Sequence, residues 1–294
     1  MKYLLLLLLC ALLCGCATLA AITSSGAKMA GEAGIIEQST ADAVSKSADS
    51  IGKAAEDITP EQEYYIGRAV GANILARYKL YSANPAQTQY LNKICLAITL
   101  NSERPVLYNG YRVAILDSTE INAFATSGGH IFVTRGLIAS TASEDELAAV
   151  IAHEIAHIQL YHSLKAIKTS RITQAIMTTG SAAASAAELA ELTDIFDESV
   201  NEIVSTLVNK GYSQSQEFDA DKKALALLSA SGYDPAALLT MLSNLNKTQA
   251  AHKGGFNSTH PTPAKRIANA EKEIRAYSSP ATKGYRSTRY KAAM

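Results

Sequence analysis

The sequence predicts a mostly helical α+β domain that contains a small β-sheet. Apolar residues recur at helical spacing before residue 100 and after residue 138, and only the stretch at 111–138 has β-rich runs. With 294 residues and 48% hydrophobic content, the chain can form one large core or two small ones. Lys plus Arg and Asp plus Glu number 27 each, so no net charge favours nucleic acid as a partner.

The beginning of the chain predicts a lipoprotein signal peptide over residues 1–15. Lys2 precedes an apolar run, residues 4–13, that is too short to span a bilayer as a mature helix. The run ends in LCGC, which resembles the bacterial lipobox, where a small residue precedes the cysteine that becomes lipidated. Cys16 is therefore the predicted anchor to the membrane. An ordinary signal peptide with incidental cysteines is the alternative interpretation.

The residues around the predicted anchor indicate a location in the cell envelope. In lipoproteins of bacteria with two membranes, an aspartate after the lipidated cysteine favours the inner membrane, and this chain has Ala17 there. We therefore expect a lipid-anchored protein of the outer membrane that faces the periplasm. Residues 16–58, which are rich in Ala, Ser and Gly, predict a tether with some helical character. After processing, Cys95 is the remaining free thiol, so we expect no intramolecular disulfide.

The folded domain is predicted over residues 59–277 and begins with two helices. Thr59 has the character of an N-cap, and Pro60 then occupies the first helical position. The helical pattern continues to about Leu80. A second helix is predicted over residues 85–100.

The β-rich part of the chain follows these helices. Residues 111–118 predict a short strand, in which Val113 and Ile115 occupy alternate positions. Residues 121–138 contain two β-rich runs with Gly128 and Gly129 between them. This arrangement predicts a hairpin or a bulge.

The segment AAVIAHEIAHIQLYH, residues 148–162, places titratable groups in the middle of an otherwise apolar helix. Ser143 and Glu146 form a capping-box pattern that predicts where this helix begins. His153 and His157 are four residues apart, so both imidazoles project from one helix face, one turn apart. Burying such groups is costly unless they have partners, so this face of the helix is the first candidate for a functional site.

Glu154 completes an H-E-x-x-H pattern with the two histidines. Two neutral imidazoles on one face can hold a zinc ion, zinc lowers the pKa of a water molecule toward neutral, and the adjacent carboxylate accepts its proton. The pattern therefore predicts a catalytic zinc site. A chance match on an ordinary, partly buried helix is the alternative.

A catalytic zinc ion needs a third protein ligand, and Glu217 is the best candidate. Glu217 and Asp221 are four residues apart on a predicted helix, so one can bind zinc while the other accepts a hydrogen bond from a ligand histidine. The alternative is a solvated acidic helix start, which the helix dipole favours. His162 does not have metzincin spacing, and we predict that it lies on a helix surface.

Five separated motifs resemble those of one protease family and occur in the same order. They are NAFA at 122–125 with the paired glycines, TRGL at 134–137, HEIAH at 153–157, Glu217 with Ala220-Asp221, and His260-Pro261 with Arg266-Ile267. Over residues 59–275, the chain resembles the gluzincin metalloproteases related to the CAAX prenyl endopeptidases, especially their soluble, lipoprotein-type bacterial members. The resemblance implies a zincin-like metalloprotease domain with a small sheet whose edge strand flanks the active-site cleft.

The resemblance also implies the roles of the core site residues. It places one zinc ion, Zn2+, on His153, His157 and Glu217. Glu154 is implied as the general base and then the general acid. Asp221 is implied to orient a ligand histidine.

Two further residues match family positions near the metal. His260 matches a histidine that either stabilises the tetrahedral oxyanion or occupies the open position of the zinc ion in a resting form. A loop histidine with no role at the site is the alternative. Arg266 matches an arginine that either contacts substrate or binds carboxylates.

Substrate binding is implied for a segment that contains Asn122, Ala123, Phe124, Gly128 and Gly129. In the family, an extended peptide adds to this sheet edge, and main-chain pairing fixes the substrate with weak sequence selectivity. A plain core hairpin is the alternative for these side chains.

The end of the chain, residues 278–294, contains four basic residues and no acidic residue. It predicts a basic, flexible tail.

Together, these features predict a zinc-dependent metalloendopeptidase of the bacterial cell envelope. Its expected substrates are unfolded or misassembled envelope proteins, which makes it a protein quality-control enzyme, and the outer-membrane assembly machinery is a candidate partner. One alternative is an envelope chaperone or assembly factor with a latent or rarely used protease site. Another is a lipoprotein in which zinc is purely structural.

Overall fold

The computed structural model describes residues 16–42, 44–46, 58–165, 200–201, 203–249, 259–260, 263–280 and 283–294. The chain divides into two compact units, one made of Met1–Ile58 with Lys165–Ser199 and the other of Thr59–Leu164 with Val200–Met294. The signal peptide predicted over residues 1–15 lies outside the described residues. Within the described ranges, no helix is both long enough and apolar enough to cross a membrane.

The first unit contains helical structure where the sequence predicted a tether. Helix α1 spans Cys16–Glu32, and residues 38–42 and 44–46 are helical as well. The hydroxyl groups of Ser24 and Ser45 lie 2.8 Å apart and are buried. The role of this segment as a tether stays a prediction.

The second unit begins with the two helices that the cap signals predict. Helix α2 spans Pro60–Arg77, and helix α3 spans Pro85–Leu100. Thr59 caps α2 in a reciprocal capping box, and Asn84 caps α3 by accepting a hydrogen bond from a backbone N–H group. Each helix has a proline in its first turn, where a missing N–H costs nothing.

A three-stranded mixed sheet follows the helices. The strands are β1 (Arg112–Leu116), β2 (Ala123–Ala125) and β3 (His130–Thr134), in the order β1-β3-β2. β1 pairs with β3 in parallel, and β2 pairs with β3 in an antiparallel hairpin. The predicted hairpin is therefore confirmed, and β2 is an edge strand of the sheet that the described residues form.

The hairpin turn requires glycine at two positions. The turn is a short 3-10 segment, Ser127–Gly129, in which Gly128 and Gly129 have φ angles of 76° and 96°. Helix α2 packs directly on the turn, since a Cβ atom added at Gly67 would lie 1.5 Å from the carbonyl oxygen of Ser127. Helix α2, at the beginning of the domain, thus packs against the end of the sheet that carries the hairpin turn.

The remaining helices build the core around one central helix. They are α4 (Arg135–Ser140), α5 (Glu144–Gln159), α6 (Gln214–Ala230), α7 (Ala236–Gln249) and α8 (Pro263–Glu273). Every residue of α5 is buried, and α5 packs against α3, α6, α7 and β2. The apolar residues of α5 form one cluster with residues of the sheet and the other helices, including Cys95. The structure confirms a mostly helical α+β domain.

The predicted flexible tail contains a helix instead. Helix α9, Lys283–Ala293, packs at the beginning of α5. Nε of Arg286 lies 3.0 Å from the carboxylate of Asp145, and the guanidinium of Arg289 forms an ion pair with Glu144. The prediction was wrong because it assumed that the basic residues of this segment are solvated. In the structure, the buried acidic residues Asp145 and Glu144 of α5 bind Arg286 and Arg289.

Candidate metal centre

Helices α5 and α6 bring the three predicted metal ligands together. The Nε2 atoms of His153 and His157 lie 3.0 Å apart on adjacent turns of α5. Glu217, in the first turn of α6, places one carboxylate oxygen 3.5 Å from Nε2 of His153 and the other 3.5 Å from Nε2 of His157. All three side chains are buried. Residues 60 positions apart in sequence therefore converge because the two helices pack along each other.

His260 adds a fourth donor to this group. Its Nδ1 atom lies 3.3 Å from Nε2 of His153 and 3.0 Å from Oε1 of Glu217. The donor atoms of His153, His157, Glu217 and His260 all lie within 4.8 Å of one another. A tetrahedral zinc site with bonds of about 2.1 Å has donor separations of about 3.4 Å. The observed separations of 3.0 to 3.5 Å between neighbouring donor atoms fit such an ion.

A buried guanidinium holds the carboxylates behind the ligands. Arg266 of α8 forms two hydrogen bonds with Asp221, of 2.8 and 2.7 Å, and its Nη1 lies 2.9 Å from Oε2 of Glu217. Oδ1 of Asp221 in turn lies 3.0 Å from Nδ1 of His153. The resemblance left two roles open for Arg266, substrate contact and carboxylate binding. These contacts are those of carboxylate binding.

These contacts shift the ionisation of the buried groups. Burial and Arg266 both lower the pKa of His153, but its hydrogen bonds with Asp221 and Glu217 outweigh them and raise it to about 9. Burial raises the pKa of Asp221, but Arg266 and His153 together lower it to about 2. Burial likewise opposes ionisation of Glu217, yet His260 and Arg266 hold its pKa well below the usual range. Both carboxylates are therefore ionised at neutral pH, as metal ligands and their supporting groups must be.

Glu154 lies beside the ligand cluster. The residue is buried, and in the described part of the chain neither of its carboxylate oxygens has a hydrogen-bond partner. Burial raises its pKa. Oε1 lies 3.6 Å from Nε2 of His260, so the carboxylate borders the same centre. A buried acceptor without a hydrogen bond is costly, which indicates a functional reason for its position.

His157 has two neighbours that sequence reasoning missed. The ring of Tyr212 stacks on it with centroids 4.1 Å apart and an interplanar angle of 15°. Nδ1 of His162 lies 2.8 Å from Nδ1 of His157. The prediction that His162 lies on a helix surface was wrong, because it is 2% exposed. It assumed a continuous helix, whereas α5 ends at Gln159.

The edge strand lies beside the metal helix, and its residues are buried. Asn122, Ala123, Phe124, Gly128 and Gly129 all fall in the buried class, and β2 contacts α5. Oδ1 of Asn122 accepts hydrogen bonds from the N–H group of Ala123 and from the hydroxyl of Thr259, at 2.9 and 3.1 Å. The side chain of Asn122 thus links the sheet edge to the segment that carries His260.

Comparison with known proteins agrees with this geometry. The model of peptidase family M48 matches residues 85–274. The chain belongs to this family. All the proposed ligands and Glu154 fall within the matched range. The resemblance inferred from the separated motifs is confirmed.

Several named proteases are similar to the chain. The beta-barrel assembly-enhancing protease of Escherichia coli is 27% identical over 217 residues, which are 71% of this chain and 42% of that protein. Metalloprotease LoiP of Escherichia coli is 29% identical over 197 residues, which are 65% of this chain and 73% of LoiP. The mitochondrial metalloendopeptidase OMA1 of Schizosaccharomyces pombe is 33% identical over 156 residues, which are 51% of this chain and 42% of that protein. The chain thus spans less than half of the first of these relatives.

Replacing Arg266 by methionine will destabilise the metal-free protein. The substitution leaves the carboxylates of Asp221 and Glu217 buried without their cation, so we expect the free energy of unfolding to fall by about 3 to 5 kcal/mol. Denaturant unfolding in the presence of a chelator measures this change. Lys265→Met is the matched control, because Lys265 is an exposed cation beside Arg266 on α8. Equal losses in the two variants would contradict the prediction.

Proposed function

We propose that the chain is a zinc-dependent endopeptidase of the bacterial cell envelope that cleaves unfolded or misassembled envelope proteins. The observation that carries the proposal is the buried cluster of His153, His157 and Glu217 with the carboxylate of Glu154 beside it. Membership of the M48 family supports peptide hydrolysis as the reaction. The named E. coli relatives are a beta-barrel assembly-enhancing protease and a metalloprotease, which supports an envelope location and a metal-dependent reaction. The His, His and Glu donor set is of the type that binds zinc.

The proposed mechanism assigns a separate task to each buried group. When bound, zinc supplies Lewis-acid chemistry that makes a water molecule acidic and polarises a peptide carbonyl. His153, His157 and Glu217 would hold the ion, and Asp221 with Arg266 keeps His153 and Glu217 in place. Glu154 takes the proton of the attacking water and passes it to the leaving amine, for which a carboxylate with no competing hydrogen bond from the described residues is suited.

The proposed substrate site is the outer edge of β2. In the antiparallel pairing, Asn122 and Thr126 bond toward β3, so Ala123 and Ala125 direct their backbone groups away from it. The N–H group of Ala123 is held by the side chain of Asn122. An extended peptide would pair with the remaining backbone groups of Ala123 and Ala125. Such main-chain pairing suits unfolded chains of varied sequence.

The position of His260 favours a second candidate function. A catalytic zinc site keeps a position open for water, whereas His260 approaches as a fourth donor. In this arrangement, His260 would take the position that water needs on a bound ion. Such a site is expected for a chaperone or assembly factor with a latent protease site. A purely structural zinc site would explain the four donors but not the burial of the Glu154 carboxylate, which has no hydrogen bond to any of the described residues. We therefore favour a protease in a resting form, from which His260 must move for catalysis.

The proposed location rests on the lipobox-like sequence at Cys16. Helix α1 begins at Cys16, and a lipid at this residue would attach the protein to the outer membrane on its periplasmic side. One relative is named for enhancing beta-barrel assembly. We propose that this chain likewise acts on proteins at the outer-membrane assembly machinery.

Glu154→Gln will abolish cleavage of an unfolded protein while the metal stays bound. The amide keeps the size of the side chain but cannot accept the proton, so we expect a loss of at least about 100-fold in rate. The measurement compares casein digestion and zinc content for residues 17–294 of the wild type and the variant, with a chelator-treated sample as control. Equal cleavage by both proteins would contradict the role of Glu154, and absence of zinc from both would contradict the metal site.

His260→Ala will raise the rate of casein cleavage several-fold. Without the fourth donor, an ion bound here would have three protein ligands and a position open for water. His130→Ala is the matched control, because His130 lies at the start of β3 and is not one of the four donors. A lower rate for His260→Ala would favour oxyanion stabilisation instead. An unchanged rate would contradict both roles.

Cys16→Ala will release the protein from the outer membrane. The lipid at Cys16 is the proposed attachment to the membrane, so its loss removes that attachment. Fractionation of cells that express either form, followed by detection of the protein in membrane and soluble fractions, measures the change. A variant that stays with the outer membrane to the same extent as the wild type would contradict lipid anchoring at Cys16.

A further inference from the structure

His162 is a buried histidine that the proposed mechanism does not use. It is 2% exposed, and its ring centroid lies 4.9 Å from that of His157 at an interplanar angle of 71°. Nδ1 of His162 lies 2.8 Å from Nδ1 of His157. The contact is therefore a hydrogen bond to the nitrogen of His157 that faces away from the other ligands.

The direction of this hydrogen bond follows from the requirement of metal binding. A neutral imidazole carries one proton, and His157 faces His153 and Glu217 with Nε2. To ligate through Nε2, His157 must carry its proton on Nδ1. That N–H group then donates to Nδ1 of His162. The opposite direction would put a proton on Nε2, where the metal must bind.

The backbone after α5 is shaped to bring His162 to this place. In a continuous helix, His162 would lie about 140° around the axis from His157 and could not reach it. Instead, α5 ends at Gln159, and Tyr161 adopts a left-handed conformation with φ of 57°. Such a conformation is costly for a residue other than glycine. The guanidinium of Arg104, 4.5 Å from the centre of the Tyr161 ring, helps to hold the turn.

The two histidines of the motif therefore have different supports. His153 is held by the carboxylate of Asp221, which is the usual kind of partner for a metal-ligating histidine. His157 is held by a second imidazole on one side and by the stacked ring of Tyr212. We propose that His162 is the positioning residue that fixes the tautomer and the orientation of His157 for zinc. This assignment rests on the proposed metal site.

The test compares two substitutions of His162 that differ in one acceptor atom. In His162→Asn, the amide oxygen takes the position of Nδ1 and still accepts the hydrogen bond. In His162→Phe, the ring fills the space but offers no acceptor. Zinc affinity is measured by competition with a chelator, and thermal unfolding of the metal-free proteins reports on structure. The full chain without its lipid anchor is used throughout.

We expect zinc affinity to fall about 10- to 100-fold in His162→Phe and to stay within about threefold of the wild type in His162→Asn. Gln159→Ala is the matched control at the same end of α5. Its amide donates to the hydroxyl groups of Ser102 and Tyr111, so its loss lowers the unfolding temperature without changing zinc affinity. If His162→Phe does not fold, His162→Leu replaces it as the variant without an acceptor.

Two results would overturn the assignment while leaving the metal site intact. One is wild-type zinc affinity in the variant without an acceptor. The other is an equal loss of affinity in His162→Asn and the variant without an acceptor, with metal-free proteins of unchanged stability. Absence of zinc from the wild type would overturn the proposed site itself, and the assignment with it. The visible spectrum of the Co2+-loaded proteins provides a second readout, which we expect to change in His162→Phe and not in His162→Asn.

Discussion

The ion pairs of Arg266 with Asp221 and Glu217 are the interaction on which the centre of this protein depends. Transferring two carboxylates from water into a helix interface costs several kcal/mol each unless a cation and hydrogen bonds compensate. Arg266 provides both, with two bonds to one carboxylate and one contact to the other. It also connects α6 to α8. The same side chain therefore permits the burial of the ligand glutamate and fixes the segment next to His260.

The composition of α5 follows from its burial on every side. Its alanines allow the neighbouring helices and β2 to approach closely, and its larger apolar side chains fill the space between these elements. The polar residues in the middle of α5 then have no access to bulk water and must find partners on neighbouring elements. His153 finds Asp221, and His157 finds Tyr212 and His162. In this middle part of α5, Glu154 has no hydrogen bond to any of the described residues.

The segment that carries His260 is attached at two places near the centre. The hydroxyl of Thr259 donates to Asn122, which lies just before the edge strand. The carbonyl oxygen of Thr259 accepts from the N–H group of Tyr212. The fourth donor is thus held from the sheet on one side and from the beginning of α6 on the other. The side chain of Asn122 therefore contacts both the sheet edge, at the N–H group of Ala123, and the segment that carries His260, at Thr259.

The sequence by itself determined the features that depend on neighbouring residues. The caps of α2, the paired glycines of the hairpin turn and the four-residue spacing of His153 and His157 are local patterns, and the structure contains all of them. The four-residue spacing of Glu217 and Asp221 made Glu217 a candidate ligand, and the family motifs added His260, which spacing alone could not place. Only the tertiary structure decided the role of α9 and the partners of His157. Glu144 and Arg289 are 145 positions apart, and a single left-handed residue, Tyr161, redirects His162. Contacts of this kind depend on how distant elements pack, and no local pattern encodes them.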